Sequence, residues 1–252
     1  MKVLAYGGGV NSTALLVGMT NAGEKVDLIT FADTGGERPN TYAYVEMFSK
    51  WLVDHGQPQI ITVKKVKRDG SIFSLEQDCL DGKILPSIAY GFKACSMKYK
   101  AQPQDKYRNN HAGCKKVWKA GGKVDLLIGF DAGEAHRIKD FDDPKYNTKY
   151  PLVDWDWGRD ECIKAIQAAG LCSPGKSSCF YCPSMKAHEI KLLNAQYPEL
   201  AQRALAMEAN AECHTIKGLG RNWAWKDLLA TDDMFEDEFI QPIDQACGCY
   251  DG

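Results

Sequence analysis

The chain has 252 residues, of which 44% are hydrophobic and 25% are charged, as is ordinary for a globular protein with a buried core. Its 31 Lys and Arg residues against 33 Asp and Glu residues leave a net charge of −2, so nucleic acid is not favoured as a partner, although a local basic patch is not excluded. The sequence has no run of about 18 apolar residues and no secretory signal. These features predict a cytoplasmic protein without a membrane partner.

Apolar, β-rich runs alternate with helical patterns through the first half of the chain. The patterns predict strands at 2–6, 26–32, 60–66 and 124–130, and helices at 12–21 and 41–55. Strands that are almost wholly apolar and separated by helices indicate a doubly wound α/β fold, with a parallel sheet covered on both faces. Ligands bind beyond the carboxyl ends of such strands, so we expect the segments after the first two strands on one rim.

The second half carries more helix and less strand signal. Helices are predicted at 158–169, 184–196 and 199–211. On this basis we divide the chain into an α/β part, residues 1–155, and a helical, cysteine-bearing C-terminal part, residues 156–252, packed together as one unit. The spaced pairs Trp155/Trp157 and Trp223/Trp225 are expected to pack in a core or lid rather than to stack on bases.

The stretch LAYGGGVNSTALL, residues 4–16, places three glycines between a predicted strand and a predicted helix. Glycine allows a ligand to approach the backbone closely, and Ser and Thr favour the start of a helix, whose N–H groups attract anions. The pattern therefore predicts a phosphate- or sulfate-binding loop. A tight turn that binds nothing is the alternative.

Ten cysteines are unusual for a cytosolic protein, in which clustered cysteines more often serve metals or redox chemistry than disulfides. Cys172, Cys179 and Cys182 form one cluster, and Cys179-x2-Cys182 is a two-ligand unit suited to a metal. Cys247 and Cys249 form a C-x-C near the end of the chain. Four isolated cysteines are expected to be ordinary core or surface residues: Cys79, Cys114, Cys162 and Cys213.

Several stretches resemble one family, in family order. YGGGVNST resembles the pyrophosphate-binding loop of adenine nucleotide α-hydrolases, the PP-loop superfamily. Five later stretches resemble segments of the phosphoadenylyl-sulfate (PAPS) reductase family: FADTGGERPNTY, LLIGFDAGEAHR, YPLVDWDWGRDECIKAI, GKSSCFYCPSMK and ACGCYDG. The matches span residues 4–252, and the ordered set is far more specific than the loop alone.

The resemblance implies an oxidoreductase that reduces adenylyl sulfate or 3′-phosphoadenylyl sulfate to sulfite and releases the nucleotide. It assigns the nucleophile to Cys247, substrate charge to Arg137, and reduction to a thioredoxin- or glutaredoxin-like partner. The substrate-binding residues that it implies are Gly7, Gly8, Gly9, Asn11, Ser12, Thr13, Asp33, Thr34, Gly35, Lys100, Gly129 and Arg137. The oligomeric state is left open, and a homo-oligomer is compatible with it.

The resemblance also implies a [4Fe–4S] cluster, with Cys95 joining Cys179 and Cys182. The fourth position is either Cys172 or an open iron, and zinc is the alternative metal because thiolates suit it equally well.

Two departures from the family pattern keep other functions open. Asn11 stands where the loop normally has Asp, which weakens any Mg²⁺-bound ATP at this position. The spacing from Cys95 to Lys100 is more similar to DNA phosphorothioation sulfurtransferases. The alternatives are an ATP-using iron–sulfur sulfurtransferase, acting on nucleic acid or a small molecule, and a zinc-stabilised nucleotide-binding module without catalysis.

Overall fold

A computed structural model describes residues 1–139 and 142–231 of the chain. Within these residues, parallel strands form one five-stranded sheet in the order β3-β2-β1-β4-β5. The strands are β1 (Lys2–Tyr6), β2 (Leu28–Asp33), β3 (Ile60–Lys64), β4 (Val124–Leu127) and β5 (Tyr146–Lys149). The chain runs outward from β1 through β2 to β3, then returns to the other side of β1, so the order reverses between β1 and β4.

Helices connect the strands and make up most of the C-terminal part. The first group is α1 (Val10–Asn21), α2 (Pro39–Asp54), α3 (Leu75–Asp81), α4 (Ala94–Ser96), a π-helical turn (Met97–Ala101), α5 (Gln102–Asn110) and α6 (Ala112–Lys119). The second group is α7 (Pro151–Asp154), α8 (Arg159–Ala168), α9 (Ala187–Gln196), α10 (Pro198–Asn210) and α11 (Trp225–Ala230). None of the helices within the described ranges is both long enough and apolar enough to cross a bilayer.

The sheet is covered on both faces, as the apolar strands predict. Successive side chains of a strand point to opposite faces, so Leu4 and Tyr6 join a core with α1, α2 and α8, whereas Val3 joins the core under α6. Ile166 of α8 belongs to the first of these cores. Residues on both sides of the predicted division at 155/156 therefore share one core. The fold is α/β with a parallel sheet, as predicted.

A third core lies in the C-terminal part, around α9, α10 and α11. Trp225 is fully buried in this third core, and the partly buried Trp223 packs against the same core. Trp155 and Trp157 pack on the first core, with ring centroids 5.1 Å apart. All four tryptophans therefore pack in or against cores, as predicted from their spacing.

The element ends differ from the predictions for local reasons. Strand β2 begins at Leu28 instead of residue 26, because the Val26 N–H is donated to the Gln57 side chain rather than to a neighbouring strand. Strand β4 ends at Leu127 rather than residue 130, as the chain turns toward α1. Strand β5 was not predicted, because its sequence YNTK is polar and half-exposed at the sheet edge.

Candidate functional site

The glycine loop follows β1 at the point where the strand order reverses, which is where open parallel sheets bind ligands. Gly8 has φ +76°, a conformation that favours glycine, and α1 begins at Val10. The Gly7 N–H is donated to Ser12 Oγ at 3.2 Å, and Thr13 Oγ1 donates to the Gly9 carbonyl at 2.9 Å. The two predicted hydroxyls thus shape the loop through its own backbone.

Asn11 connects the glycine loop to the segment that follows β4. Its amide nitrogen donates to Asp131 Oδ2 at 3.0 Å and to Glu134 Oε2 at 2.9 Å. Its amide oxygen accepts from Arg159 Nη1 at 3.1 Å. Two carboxylates therefore lie beside Asn11.

Arg137 is joined to the same network through Glu134, with which it forms an ion pair. Its guanidinium also lies 4.2 Å from the centre of the Phe130 ring. Gly129 packs directly on the start of α1, where a Cβ at this position would lie 3.0 Å from Ser12 Cα. The structure thus places Gly129 against the glycine loop. Arg137 is linked to Asn11 through Glu134, which contacts both residues.

The loop after β2 lies on the same rim, as predicted. The buried Asp33 carboxylate accepts from the Gly35 N–H and from Tyr42 Oη, each at 2.7 Å, and lies 3.0 Å from Lys64 Nζ. Burial, followed by the hydrogen bond to Asp33, raises the pKa of Tyr42, so its phenol stays protonated and donates. Thr34 Oγ1 lies 3.1 Å from Cys179 Sγ. Asp33 therefore contacts Tyr42 and Lys64, whereas its neighbour Thr34 contacts Cys179.

Three of the predicted metal ligands line one cavity, which we call the thiol cavity. Cys95, Cys179 and Cys182 line it, and its volume is about 20 Å³. The remaining lining residues are Thr34, Leu75, Pro86, Ile88, Ser96, Lys100, Ser178, Tyr181 and Pro183. Residues from both halves of the chain build this cavity.

The segment that leads into Cys179 packs against the glycine loop. A Cβ at Gly9 would lie 3.4 Å from Ser177 Oγ, and the next residue, Ser178, lines the thiol cavity. Lys176 holds this segment, since its Nζ lies 2.9 Å from Glu189 Oε1 and its carbonyl accepts from Arg38 Nη2 at 2.5 Å. Two consecutive serines thus separate the glycine loop from the thiol cavity.

Two buried hydroxyls of the thiol cavity have no hydrogen-bond partner in the described part of the chain: Ser178 Oγ and Tyr181 Oη. Burial raises the pKa of Tyr181 well above its usual value, so this phenol stays protonated. Lys100 also lines the cavity, 3.7 Å from Glu37 Oε1. Buried donors normally have partners. These donors and the three sulfurs would suit a negatively charged, sulfur-bearing group.

The three thiols that line the cavity are a ligand type that both an iron–sulfur cluster and a zinc ion accept. Across residues 1–139 and 142–231, no three His, Cys, Asp or Glu side chains are arranged to hold a single ion. The thiolates of a four-iron cluster bind different irons, whereas the ligands of a zinc ion surround one point.

The structure does not bring Cys172 to the thiol cavity. Cys172 is exposed, and its backbone carbonyl accepts from Tyr44 Oη at 2.8 Å. Cys172 is therefore not one of the residues that line the thiol cavity. Cys247, the predicted nucleophile, and Cys249 lie outside the described residues.

Sequence reasoning missed Arg159, Ser178 and Tyr181. Arg159 begins α8 and contacts Asn11, yet its position in the DWDWGRDE stretch resembles an ordinary helix start. Ser178 and Tyr181 flank the cysteine pair, so proximity to Cys179 was the available signal. Cys79, Cys114 and Cys162 are buried and Cys213 is half-buried, as expected for ordinary residues.

The sequence was also compared with protein-family models and with curated proteins. No family model and no curated protein matched it.

Proposed function

We propose that this protein is an adenine-nucleotide-dependent enzyme of sulfur chemistry that reduces adenylyl sulfate or its 3′-phosphorylated form. One observation carries the proposal: a glycine loop at the strand-order reversal lies beside a cavity lined by three thiols, with only Ser177 and Ser178 between them. A nucleotide phosphate on the loop would place the adjoining sulfate toward the thiols. The resemblance to PAPS reductases supports the same reaction.

In the proposed reaction the Cys247 thiolate attacks the sulfate sulfur, and the bond from that sulfur to the phosphate oxygen breaks. The nucleotide leaves with the bond's electron pair, and a thiosulfonate remains on Cys247. A thiol of a thioredoxin- or glutaredoxin-like partner then attacks the Cys247 sulfur, which forms a mixed disulfide and releases sulfite. A second thiol, from the partner or from Cys249, resolves that disulfide.

The described residues would bind and orient the substrate. Backbone N–H groups of the glycine loop and the start of α1 would receive the phosphate. Arg159 would complement its charge, because its guanidinium already contacts Asn11 at this place. We assign a [4Fe–4S] cluster to Cys95, Cys179 and Cys182, with an open iron in the fourth position. When bound, it would supply a positively polarised site for substrate sulfur or oxygen.

The test is sulfite release from adenylyl sulfate with thioredoxin, using protein purified without oxygen. Cys247→Ser should abolish turnover, whereas Cys172→Ser, a matched change at an exposed cysteine outside the cavity, should leave it unchanged. Full turnover in Cys247→Ser would contradict the mechanism. Iron and zinc contents of the same sample would test the cofactor, and zinc without iron would favour the non-catalytic, zinc-stabilised nucleotide-binding module.

A second candidate is an ATP-using sulfurtransferase. Two observations favour it: among the described residues three thiols rather than four line the cavity, and the Asp131 and Glu134 carboxylates lie beside Asn11. Carboxylates are suitable ligands for Mg²⁺. Asp131→Asn should then weaken Mg²⁺-dependent ATP binding while leaving adenylyl sulfate binding unchanged. If the protein turns over adenylyl sulfate and does not bind ATP, the result favours the reductase reaction over the sulfurtransferase reaction.

A further inference from the structure

A second, larger pocket lies on the face of the sheet covered by α5. It has a volume of about 500 Å³ and opens between α5, β4 and β5. Ser96 lines both this pocket and the thiol cavity, so the two are neighbours on either side of one residue. None of the chemistry proposed above uses this pocket. We call it the arginine pocket, after the buried Arg108 that lines it.

Arg108 is the first unusual feature of the arginine pocket. Its side chain is only 4% exposed, and its Nη2 donates to Asp105 Oδ1 at 2.7 Å. Its Nε and Nη1 are buried and have no hydrogen-bond partner in the part of the chain that the structure describes. These two nitrogens carry three N–H bonds between them. A buried charged donor without a partner is costly, which indicates a missing acceptor.

Tyr146 is the second unusual feature. It lines the same pocket from β5, and Arg108 is the neighbour that faces its buried Oη, so the phenol proton has no acceptor among the described residues. Its ring centre lies 5.6 Å from the Arg108 guanidinium carbon. Burial raises the pKa of Tyr146, although Arg108 opposes the shift, so the phenol remains a donor at neutral pH.

The charges around the pocket favour an anion. Lys93 and Lys145 also line it. The two acidic residues of the lining already have partners: Asp105 is paired with Arg108, and Asp143 Oδ1 accepts the backbone N–H groups of Lys145 and Tyr146. The polar atoms left without partners are therefore donors, on Arg108 and Tyr146. Three cationic side chains, Lys93, Arg108 and Lys145, against the two carboxylates of Asp105 and Asp143 leave the lining with one net positive charge.

We propose that the arginine pocket binds an oxyanion, carried as a carboxylate or a phosphate by a small organic molecule. Arg108 and Tyr146 hold the oxyanion, and the remaining volume accommodates the rest of the molecule. Arginine suits both groups, since each presents several oxygens to its N–H donors. The proposal does not depend on the reductase reaction, because no residue of the glycine loop lines this pocket.

Calorimetric titration of the full chain with inorganic phosphate and, separately, with acetate tests the proposal. At least one of the two should bind saturably to the wild-type protein, and the one that binds more tightly identifies the chemical group. Tyr146→Phe removes only the hydroxyl and should weaken that binding at least about 10-fold, as expected for a hydrogen bond to a charged group. Arg108→Lys should weaken it further, because the ammonium cannot reproduce the guanidinium geometry.

Tyr107→Phe is the matched control, since Tyr107 lies on α5 with Arg108 but does not line the pocket. It should bind the anion as the wild type does. Absence of binding by both anions, or equal affinity in Tyr146→Phe and the wild type, would overturn the proposal. Adenylyl sulfate binding measured on the same variants should be unchanged, which separates a failure of this proposal from a failure of the proposed function.

Discussion

Several buried polar atoms that have no partner among the described residues lie at the candidate sites. Ser178 and Tyr181 present such atoms to the thiol cavity, and Arg159 Nε is buried without a partner beside the glycine loop. Other such atoms lie away from these sites, among them Trp225 Nε1. Glu208, by contrast, accepts from the backbone N–H groups of Leu219, Trp225 and Lys226. Since each unsatisfied buried group costs about 1–3 kcal/mol, a ligand that supplied a partner at either candidate site would stabilise it.

Ser178→Ala should separate stability from function. The hydroxyl has no partner among the described residues, so its removal should leave the melting temperature unchanged or higher, while metal loading and turnover fall. Ser74→Ala is the control, because the Ser74 hydroxyl accepts the Gln77 N–H at the start of α3. That change should cost about 1 kcal/mol and leave metal content intact. A loss of stability in Ser178→Ala like that in Ser74→Ala would contradict the assignment.

Arg159→Ala should weaken nucleotide binding about 10-fold or more, because it removes a cation that contacts Asn11 beside the glycine loop. Equilibrium binding of adenylyl sulfate or AMP measures the effect. Arg68→Ala removes an equal charge from an exposed position and should leave affinity unchanged. Equal losses in the two variants would indicate a general charge effect instead of a local contact.

At the scale of elements, the position of the glycine loop depends on how α1 is held. Helix α1 is buried along most of its length and packs against α8 in the first core. Its Gly18 allows Trp155, which follows α7, to pack on the same helix, because a Cβ there would lie 2.6 Å from the Trp155 ring. Helix α8 in turn carries Arg159 at its first position. One helix contact therefore fixes both the loop and the cation that faces it.

The α1–α8 contact should make stability depend on alkaline pH. Cys162 of α8 is fully buried, and burial raises the pKa of its thiol to about 12. The unfolded chain loses this proton near pH 9 and the folded chain only near pH 12, so unfolding becomes more favourable as pH rises between these values. The melting temperature of the wild-type protein should fall over this pH range, and that of Cys162→Ala should fall less steeply. Parallel profiles would contradict the burial effect.

At the scale of the whole molecule, the thiol cavity is assembled from distant parts of the chain. Thr34 follows β2, Cys95 lies in α4, and Cys179 and Cys182 follow α8. Backbone pairing of Glu37 with Cys179, and a hydrogen bond of 2.8 Å from the Phe180 N–H to the Gly36 carbonyl, join the two halves. Gly36 is required here, since a Cβ would lie 2.6 Å from the Tyr181 ring.

Folding should therefore determine which thiols react. Brief treatment of the native protein with iodoacetamide, followed by peptide mass spectrometry, should label the exposed Cys172 before the buried Cys79, Cys114 and Cys162. Burial also raises the pKa of Cys79 to about 12, which lowers its thiolate fraction. In denaturant all four should label at similar rates. Early labelling of Cys114 in the native state would show that the core under α6 opens readily.

The local sequence was sufficient to predict the α/β class, the parallel sheet and the glycine loop. The spacing of hydrophobic residues and the positions of glycines determine strands, helices and tight turns within a few residues of the chain. The local sequence also grouped Cys179 with Cys182, which are one turn apart. The tertiary structure alone decided that Cys172 lies away from them and that Arg159 faces Asn11. It alone placed Arg108 and Tyr146 in one pocket. Arg159 and Asn11, like Arg108 and Tyr146, are tens of residues or more apart in the chain, and only the packing of helices on the sheet sets their distances.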